Sequence, residues 1–248
     1  MITIKSRTEI EKMRAAGKIT GDALREIEKR IRPGISTAEL DKIAYDFITS
    51  KGATPSFLHY NGFPGSICAS PNDWVVHGIP SKDVVLADGD IISIDMGACK
   101  DGYHGDAART YAVGKISDEA QRLIDVTKQS FFEGIKYVIH GAKLGDVSSA
   151  IQEYVEANGY SVVRDLVGHG IGKNLHEDPS VPNFGHKGKG VRLACGMTLA
   201  IEPMVNAGEY DVCELDDDWT VVTEDGTLSA HYENTILVTK DGCEILTL

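Results

Sequence analysis

Four acidic side chains stand in sequence contexts that predict buried positions. Asp95, Glu202 and Glu233 each interrupt a predicted strand, and the first two are surrounded by aliphatic residues. Burying an ionised carboxylate costs several kcal/mol unless a partner or a cation neutralises it. Asp106 has Arg109 nearby in the sequence, but the other three acids have no such arginine. Two divalent cations would balance the four negative charges, so the pattern predicts a dinuclear metal site.

A histidine between two glycines supplies the fifth candidate ligand. His169 lies in the segment Gly168–Gly170, which we expect to form a turn that lets the backbone approach a crowded site. Oxygen ligands with one imidazole suit Mn²⁺, Fe²⁺ or Co²⁺, and Zn²⁺ also accepts them. The lack of sulfur in the set argues against a structural zinc. For each residue taken alone, a surface acid or a simple glycine turn is the alternative.

A predicted hairpin relates two of the acids geometrically. Residues 90–98 read as an apolar strand, and residues 110–113 return after a turn at 100–102 that carries an Asp-Gly pair. A turn of two or four residues places Asp95 and Asp106 on the same face of the ribbon, within roughly 5–8 Å. A three-residue loop would place them on opposite faces.

Two helix pairs precede the acidic strands. Apolar spacing predicts a helix over 8–31, and Ser36 with Glu39 forms a capping box for a second helix that ends near Gly52. Ser117 can cap the first helix of the second pair. The remaining predicted elements are helices over 117–139 and 146–157 and strands over 197–205, 228–239 and 243–247.

The order of these features is repeated along the chain. Each half contains a helix pair, a His-Gly-Ile motif (75–80 and 167–172), an acid in a strand and a second acid in the next strand. We therefore expect an α+β fold with antiparallel sheets and helices packed on their outer face. The repeat predicts one domain over 1–248, made of two pseudo-twofold-related halves, about 1–115 and 116–248.

Composition excludes several function classes. The 248 residues carry a net charge of −12, with 37 acidic and 25 basic side chains and no basic run, which argues against nucleic acid as the main ligand. Five cysteines without a C-x-x-C pair favour reduced thiols and a cytoplasmic location. No apolar run approaches the roughly 18 residues of a membrane span. Motifs for serine hydrolases, HExxH zinc peptidases and dinucleotide sites are absent.

The acids and histidines together resemble a known family. Three strings, SIDMGACKDGYHGDAART, GHGIGKNLHEDP and AIEPMV, resemble the methionine aminopeptidases of the pita-bread fold. So does the order of seven residues: His77, Asp95, Asp106, His169, His176, Glu202 and Glu233. The short gap between Glu202 and Glu233 and the lack of an N-terminal extension resemble the bacterial type I enzymes.

The resemblance implies a specific reaction. Such an enzyme removes the initiator methionine from nascent polypeptides whose second residue is small, by attack of a metal-bound hydroxide on the scissile carbonyl. The implied ligands of two divalent ions (Co²⁺, Mn²⁺, Fe²⁺ or Zn²⁺) are Asp95, Asp106, His169, Glu202 and Glu233, with Asp106 and Glu233 bridging. Glu202 would move the proton of the water, and His77 would hydrogen-bond the scissile amide nitrogen. His176 would stabilise the negative charge that develops on the carbonyl oxygen.

The resemblance also implies a methionine side-chain pocket. Its residues would be Tyr60, Phe63, Cys68, Leu175 and Trp219, with core packing as the alternative for each. Leu175 departs from the better-known bacterial members, which often carry an aromatic residue there. The other histidines are expected to be structural or at the surface: His59, His104, His140, His186 and His231. We expect a monomer without a membrane or nucleic-acid partner, and ribosome contact stays open.

Two other functions remain open at this point. The first is an aminopeptidase of the same fold that acts on X-Pro or other small peptides. The second is a non-catalytic binding module on this fold, which would be expected to have lost some of the five ligands.

Overall fold

A computed structural model describes residues 1–248 as four helices and fifteen strands. The helices are α1 (Arg7–Glu28), α2 (Thr37–Ser50), α3 (Asp118–Ile135) and α4 (Leu144–Ala157). The strands are β1 (Thr54–Pro55), β2 (Ile67–Pro71), β3 (Trp74–Val76), β4 (Ile91–Lys100), β5 (Tyr103–Ala112), β6 (Ser161–Val162), β7 (Gly168–Gly170), β8 (Glu177–Val181), β9 (Thr198–Ile201), β10 (Met204–Asn206), β11 (Val212–Glu214), β12 (Val221–Thr223), β13 (Ser229–His231), β14 (Asn234–Val238) and β15 (Cys243–Ile245). None of the helices combines the length and apolarity that crossing a membrane requires.

Side-chain caps determine where the helices begin. The predicted capping box of α2 is present, with the Ser36 hydroxyl accepting from the Glu39 amide and the Glu39 carboxylate accepting from the Ser36 amide. Ser117 caps α3 as predicted, and Ser6 caps α1 in the same way. The ends differ from the predictions: α1 stops at Glu28 and α3 at Ile135. After α1, the amides of residues 30 and 31 both donate hydrogen bonds to the carbonyl oxygen of Ile27, and the helix ends before Pro33.

The predicted hairpin is formed by β4 and β5. Lys100 pairs with Tyr103 across a two-residue turn, and the register continues to Ile91 opposite Ala112. Asp106 lies opposite Gly97, diagonal to Asp95 and on the same face of the ribbon, as expected for this turn. The return strand is much longer than the predicted 110–113. Residues 105–108 of this strand are glycine, aspartate and two alanines, which have little intrinsic strand preference. The strand is held by β4 and by α1 packed against it.

Both predicted long strands of the second half are interrupted. Residues 197–205 form β9 and β10 with a break at Glu202 and Pro203, and residues 228–239 form β13 and β14 with a break just before Asn234. The pairing register of β9 with β14 is the same as that of β10 with β13. The two breaks therefore face each other, and they place Glu202 opposite Glu233.

The segment Gly168–Gly170 is a short strand, not the predicted turn. It forms β7, which pairs with β8 on one side and with β9 on the other. A side chain at Gly168 would overlap the carbonyl oxygen of Ala200, and one at Gly170 would overlap that of Asp178. The glycines are needed because two neighbouring backbones approach β7 closely.

Every strand pairing is antiparallel, and the helices cover the sheets in pairs. One sheet has the order β1-β4-β2 with β5 on β4, and the five-stranded sheet has the order β15-β14-β9-β7-β8. The core under α1 and α2 contains residues such as Leu40 and Ile94, and the core under α3 and α4 contains Phe131 and Ile201. Strand β5 also contacts β13 and β14, so the acidic strands of both halves meet.

Candidate metal centre

One cavity collects every site residue that the sequence predicted. Its volume is about 410 Å³. The five candidate ligands on its wall are Asp95, Asp106, His169, Glu202 and Glu233. The other predicted residues on the same wall are His77, His176, Tyr60, Phe63, Cys68, Leu175 and Trp219.

The candidate ligands come from two antiparallel ribbons and from β7, which pairs with the second ribbon. Asp95 and Asp106 project from β4 and β5 on one face of the hairpin. His169 is the central residue of β7, and Glu202 and Glu233 occupy the facing breaks of the second ribbon. The amide of Glu233 donates to the carbonyl oxygen of Ala108 in β5 at 2.9 Å, which ties the two ribbons together beside the acids.

His169 lies close to three of the carboxylates. Its Nε2 is 3.9 Å from Asp106 Oδ2 and 3.6 Å from Glu202 Oε1. Ligand atoms of Asp106, His169 and Glu233 all lie within 4.8 Å of one another. The Nδ1–H of His169 donates to the carbonyl oxygen of Gly170 at 2.8 Å. A carbonyl can only accept, so this bond fixes the tautomer and leaves the Nε2 lone pair free to bind a cation.

The carboxylates have no cationic side chain to neutralise them. Asp95 Oδ1, Asp106 Oδ1 and Glu233 Oε1 are buried without a hydrogen-bond partner. Arg109, the one arginine near Asp106 in the sequence, donates instead to the carbonyl oxygens of Ala108 and Glu233 and to the Asn234 side chain. Its guanidinium stacks 4.2 Å from the ring centre of Tyr232. The negative charge of the cluster is therefore left to an external cation.

Burial and mutual repulsion disfavour the ionised acids. Burial raises the pKa of Asp95 to about 7. Burial, reinforced by the neighbouring acids, raises the pKa of Asp106, Glu202 and Glu233 well above the usual carboxyl range. Burial lowers the pKa of His169 to about 3, so the imidazole is neutral. Unpartnered buried carboxylates beside a neutral imidazole are a donor set that fits divalent cations.

Two further histidines border the cluster. The ring of His176 packs edge-on against that of His169, with centroids 4.2 Å apart, and its Nδ1 shares a 2.8 Å hydrogen bond with the Tyr60 hydroxyl. His77 stands near Trp219, with ring centroids 6.4 Å apart. Burial lowers the pKa of both His77 and His176, so both are neutral near pH 7.

An apolar pocket adjoins the cluster. Phe63 packs edge-on against Trp219 with ring centroids 5.1 Å apart, and Leu175, Cys68 and Tyr60 belong to the same hydrophobic cluster. Burial raises the pKa of the Cys68 thiol well above its usual value, so this cysteine is protonated and serves as apolar lining. The pocket and the acids open into one cavity.

Sequence reasoning missed His231 as a neighbour of the cluster. Its side chain is fully buried, and Nε2 is 3.9 Å from Glu202 Oε2. Neither ring nitrogen has a hydrogen-bond partner. His231 precedes Glu233 by two residues, and alternation along a strand would have placed both side chains on one face. Both residues lie in the predicted strand 228–239, so this alternation is the signal that could have identified His231.

Comparison with known proteins decides the family. The sequence model of metallopeptidase family M24 matches residues 11–240. The chain belongs to metallopeptidase family M24. Methionine aminopeptidase from Clostridium acetobutylicum is 60% identical over 100% of this chain and 99% of its own length. The crystal structure of methionine aminopeptidase from Rickettsia prowazekii superposes with a TM-score of 0.98 at 48% identity, covering 100% of both chains.

These matches confirm the predicted resemblance to bacterial type I methionine aminopeptidases and the predicted antiparallel α+β pita-bread fold. They also separate the two peptidase classes considered above. The Xaa-Pro dipeptidase from Bacillus anthracis has a TM-score of 0.80 at 26% identity, and the match covers 98% of this chain but 61% of that one. The chain is a metallopeptidase, similar along its whole length to bacterial methionine aminopeptidases and only distantly similar to the dipeptidase.

The raised carboxyl pKa values predict a pH trend in stability without cations. Between the unperturbed Asp pKa of 3.8 and the folded value of about 7, folded Asp95 holds a proton that the unfolded chain has released. The contribution of Asp95 to the free energy of unfolding should therefore fall as pH rises through this window. Asp95→Asn should lessen the fall by at least about 1 kcal/mol, since one pKa unit corresponds to about 1.4 kcal/mol.

Urea denaturation in a chelating buffer between pH 4 and 8 measures this trend. The exposed Asp46, which pairs with Lys42 at the surface, provides the control variant Asp46→Asn, which should keep the wild-type slope. Adding Mn²⁺ should make the wild-type slope against pH more positive, because the ion binds the ionised carboxylates. An equal slope in the wild type and Asp95→Asn would contradict the electrostatic description of the cluster.

Proposed function

We propose that this chain removes the initiator methionine from nascent polypeptides whose second residue is small. The observation that carries the proposal is one cavity that joins a buried carboxylate cluster to an apolar pocket of the size class that binds small ligands. A flexible thioether side chain suits a pocket lined by aromatic rings and a thiol. The name of the Clostridium acetobutylicum relative, 60% identical over the whole chain, supports the same activity.

Five side chains would hold two divalent cations, which we propose to be Mn²⁺, Fe²⁺, Co²⁺ or Zn²⁺. They are Asp95, Asp106, His169, Glu202 and Glu233. Two dications carry four positive charges, which balance the four carboxylates of the cluster. Bound there, the ions would supply an acidified water and Lewis-acid polarisation of the scissile carbonyl.

The protein's own side chains would guide the proton and the peptide. The Glu202 carboxylate lines the same cavity as the other ligands and would accept a proton from the attacking water. A neutral His77 can hydrogen-bond the nitrogen of the scissile amide. His176, oriented by the Tyr60 hydroxyl at 2.8 Å, can donate toward the carbonyl oxygen as negative charge develops.

We further propose that residues 1–248 form one catalytic domain with halves 1–115 and 116–248, acting as a monomer in the cytoplasm. Support for one domain comes from the site itself, whose ligands are contributed by strands of both halves. Support for a reducing compartment comes from five cysteines that are all free. The peptide partner would be the N-terminus of a nascent chain, and the net charge of −12 does not favour nucleic acid.

Substrate comparison tests the activity. With Mn²⁺, Fe²⁺ or Co²⁺ supplied, the protein should cleave Met-Ala-Ser with a kcat/KM at least about 100-fold above that for Gly-Pro-Ser, because glycine leaves the apolar pocket empty. Asp95→Asn, which alters the metal cluster and not the pocket, is the inactive control. Equal or faster X-Pro cleavage would favour the X-Pro aminopeptidase alternative, and no turnover with any of these ions would favour a binding module.

The role of His77 can be separated from cation binding. His77→Ala should lower kcat by about 10²–10⁴-fold, the usual contribution of acid–base assistance, and leave the number of bound cations unchanged. Metal content after dialysis and kcat on Met-Ala-Ser measure the two effects. Loss of cations from His77→Ala would show that this residue is a ligand and that its proposed role is wrong.

A further inference from the structure

A short N-terminal segment is anchored to the loop that carries two cavity residues. The segment comprises residues 3–5, just before α1, and the loop comprises residues 172–177. Lys5 Nζ contacts Glu177 Oε2 at 2.6 Å, and the hydroxyl of Thr3 donates to the same oxygen at 2.7 Å. The side chains of Lys5 and Glu177 are only 5% and 8% exposed, so this is a buried ion pair. The backbone amide of Lys5 donates to the carbonyl oxygen of Gly196 at 2.8 Å, which fixes the segment itself.

The same carboxylate closes the loop. Glu177 Oε1 accepts a hydrogen bond from the Asn174 amide at 3.2 Å, and the Gly172 amide donates to the Asn174 carbonyl oxygen at 3.0 Å. A Cβ at Gly172 would lie 2.6 Å from both Glu177 Oε1 and Lys5 Cε, so the glycine leaves room for the ion pair against the loop. Between these anchors, Leu175 and His176 point into the cavity.

The ion pair between Lys5 and Glu177 is better explained by the position it gives to Glu177 than by a contribution to the stability of the fold. Desolvating two charges costs much of what their attraction returns, and packed apolar side chains often stabilise a fold equally well. A buried pair does penalise movement, because any displacement leaves a charge buried without its partner. Glu177 directly follows His176, whose one side-chain hydrogen bond is to Tyr60. Holding Glu177 in place therefore restricts where the His176 ring can lie.

We propose that Lys5 is a positioning residue for the cleavage reaction, which acts through Glu177 to hold His176 against the metal centre. This inference rests on the function proposed above, and it assigns a role in the site to a residue far from it in the sequence. Lys5 touches neither the candidate metal ligands nor the apolar pocket. Its effect is exerted through the loop alone.

Kinetics of variants test the positioning role. Lys5→Met should lower kcat on Met-Ala-Ser by roughly 100-fold, the loss typical of a small displacement of a catalytic group, with the cation content unchanged. Lys5→Arg, which keeps the charge, should recover most of the rate. The control is Lys173→Met in the same loop, since the Lys173 side chain is 68% exposed and should have little effect.

A double-mutant comparison separates positioning from general weakening of the fold. In the His176→Ala background, Lys5→Met should cost less than about threefold further, because the group it positions is already absent. An additive loss would overturn the proposal. If Lys5→Met does not fold, Glu177→Gln serves in its place, since it removes the charge but keeps one oxygen that can accept from the Asn174 amide.

Amide hydrogen exchange without substrate gives a readout independent of activity. In Lys5→Met and Glu177→Gln, exchange of the Asn174 amide should quicken by at least roughly tenfold relative to the wild type and Lys173→Met. Unchanged protection of that amide would overturn the anchoring. If the variants show the predicted faster exchange but the wild type fails to cleave Met-Ala-Ser, the proposed function is overturned and the anchoring is not.

Discussion

Repulsion among buried carboxylates is the constraint around which the site is built. Four acids and a neutral imidazole share one cavity, and three of the acids leave an oxygen without a hydrogen-bond partner. Arg109, the nearest candidate counter-charge, is committed to backbone carbonyls and to Asn234. A fold that brings these side chains together and supplies no cation of its own is incomplete without external positive charge. This requirement links the architecture to metal-dependent chemistry.

The sheets meet this constraint with two ribbons of different construction. The continuous hairpin of β4 and β5 presents two aspartates diagonally, so their separation is set by strand geometry alone. The second ribbon consists of β9 and β10 paired with β14 and β13, and both of its sides are interrupted at the same level. Glu202 and Glu233 lie in these interruptions, outside the regular strands. Loops then add His77, His176 and most of the apolar pocket, whose Cys68 lies in β2.

Local signals in the sequence predicted much of this arrangement. Ser36 and Ser117 begin helices because a side-chain cap is a local interaction, and the Asp-Gly turn determined the faces of Asp95 and Asp106. Interactions between distant residues decided the rest. The glycines around His169 were interpreted as a turn. They are needed instead because the backbones of β8 and β9 approach closely, and no local sequence pattern reveals that approach. His231 was assigned to the surface or the core because its neighbour Glu202 is brought near only by the fold.

Anomalous X-ray diffraction from crystals grown with Mn²⁺ tests the central electrostatic claim most directly. The account predicts strong anomalous peaks within the cluster of Asp95, Asp106, His169, Glu202 and Glu233, and their loss from crystals of Asp95→Asn or Glu202→Gln. Peaks confined to exposed acidic segments such as residues 214–218, with the cluster free of cations at saturating Mn²⁺, would contradict it.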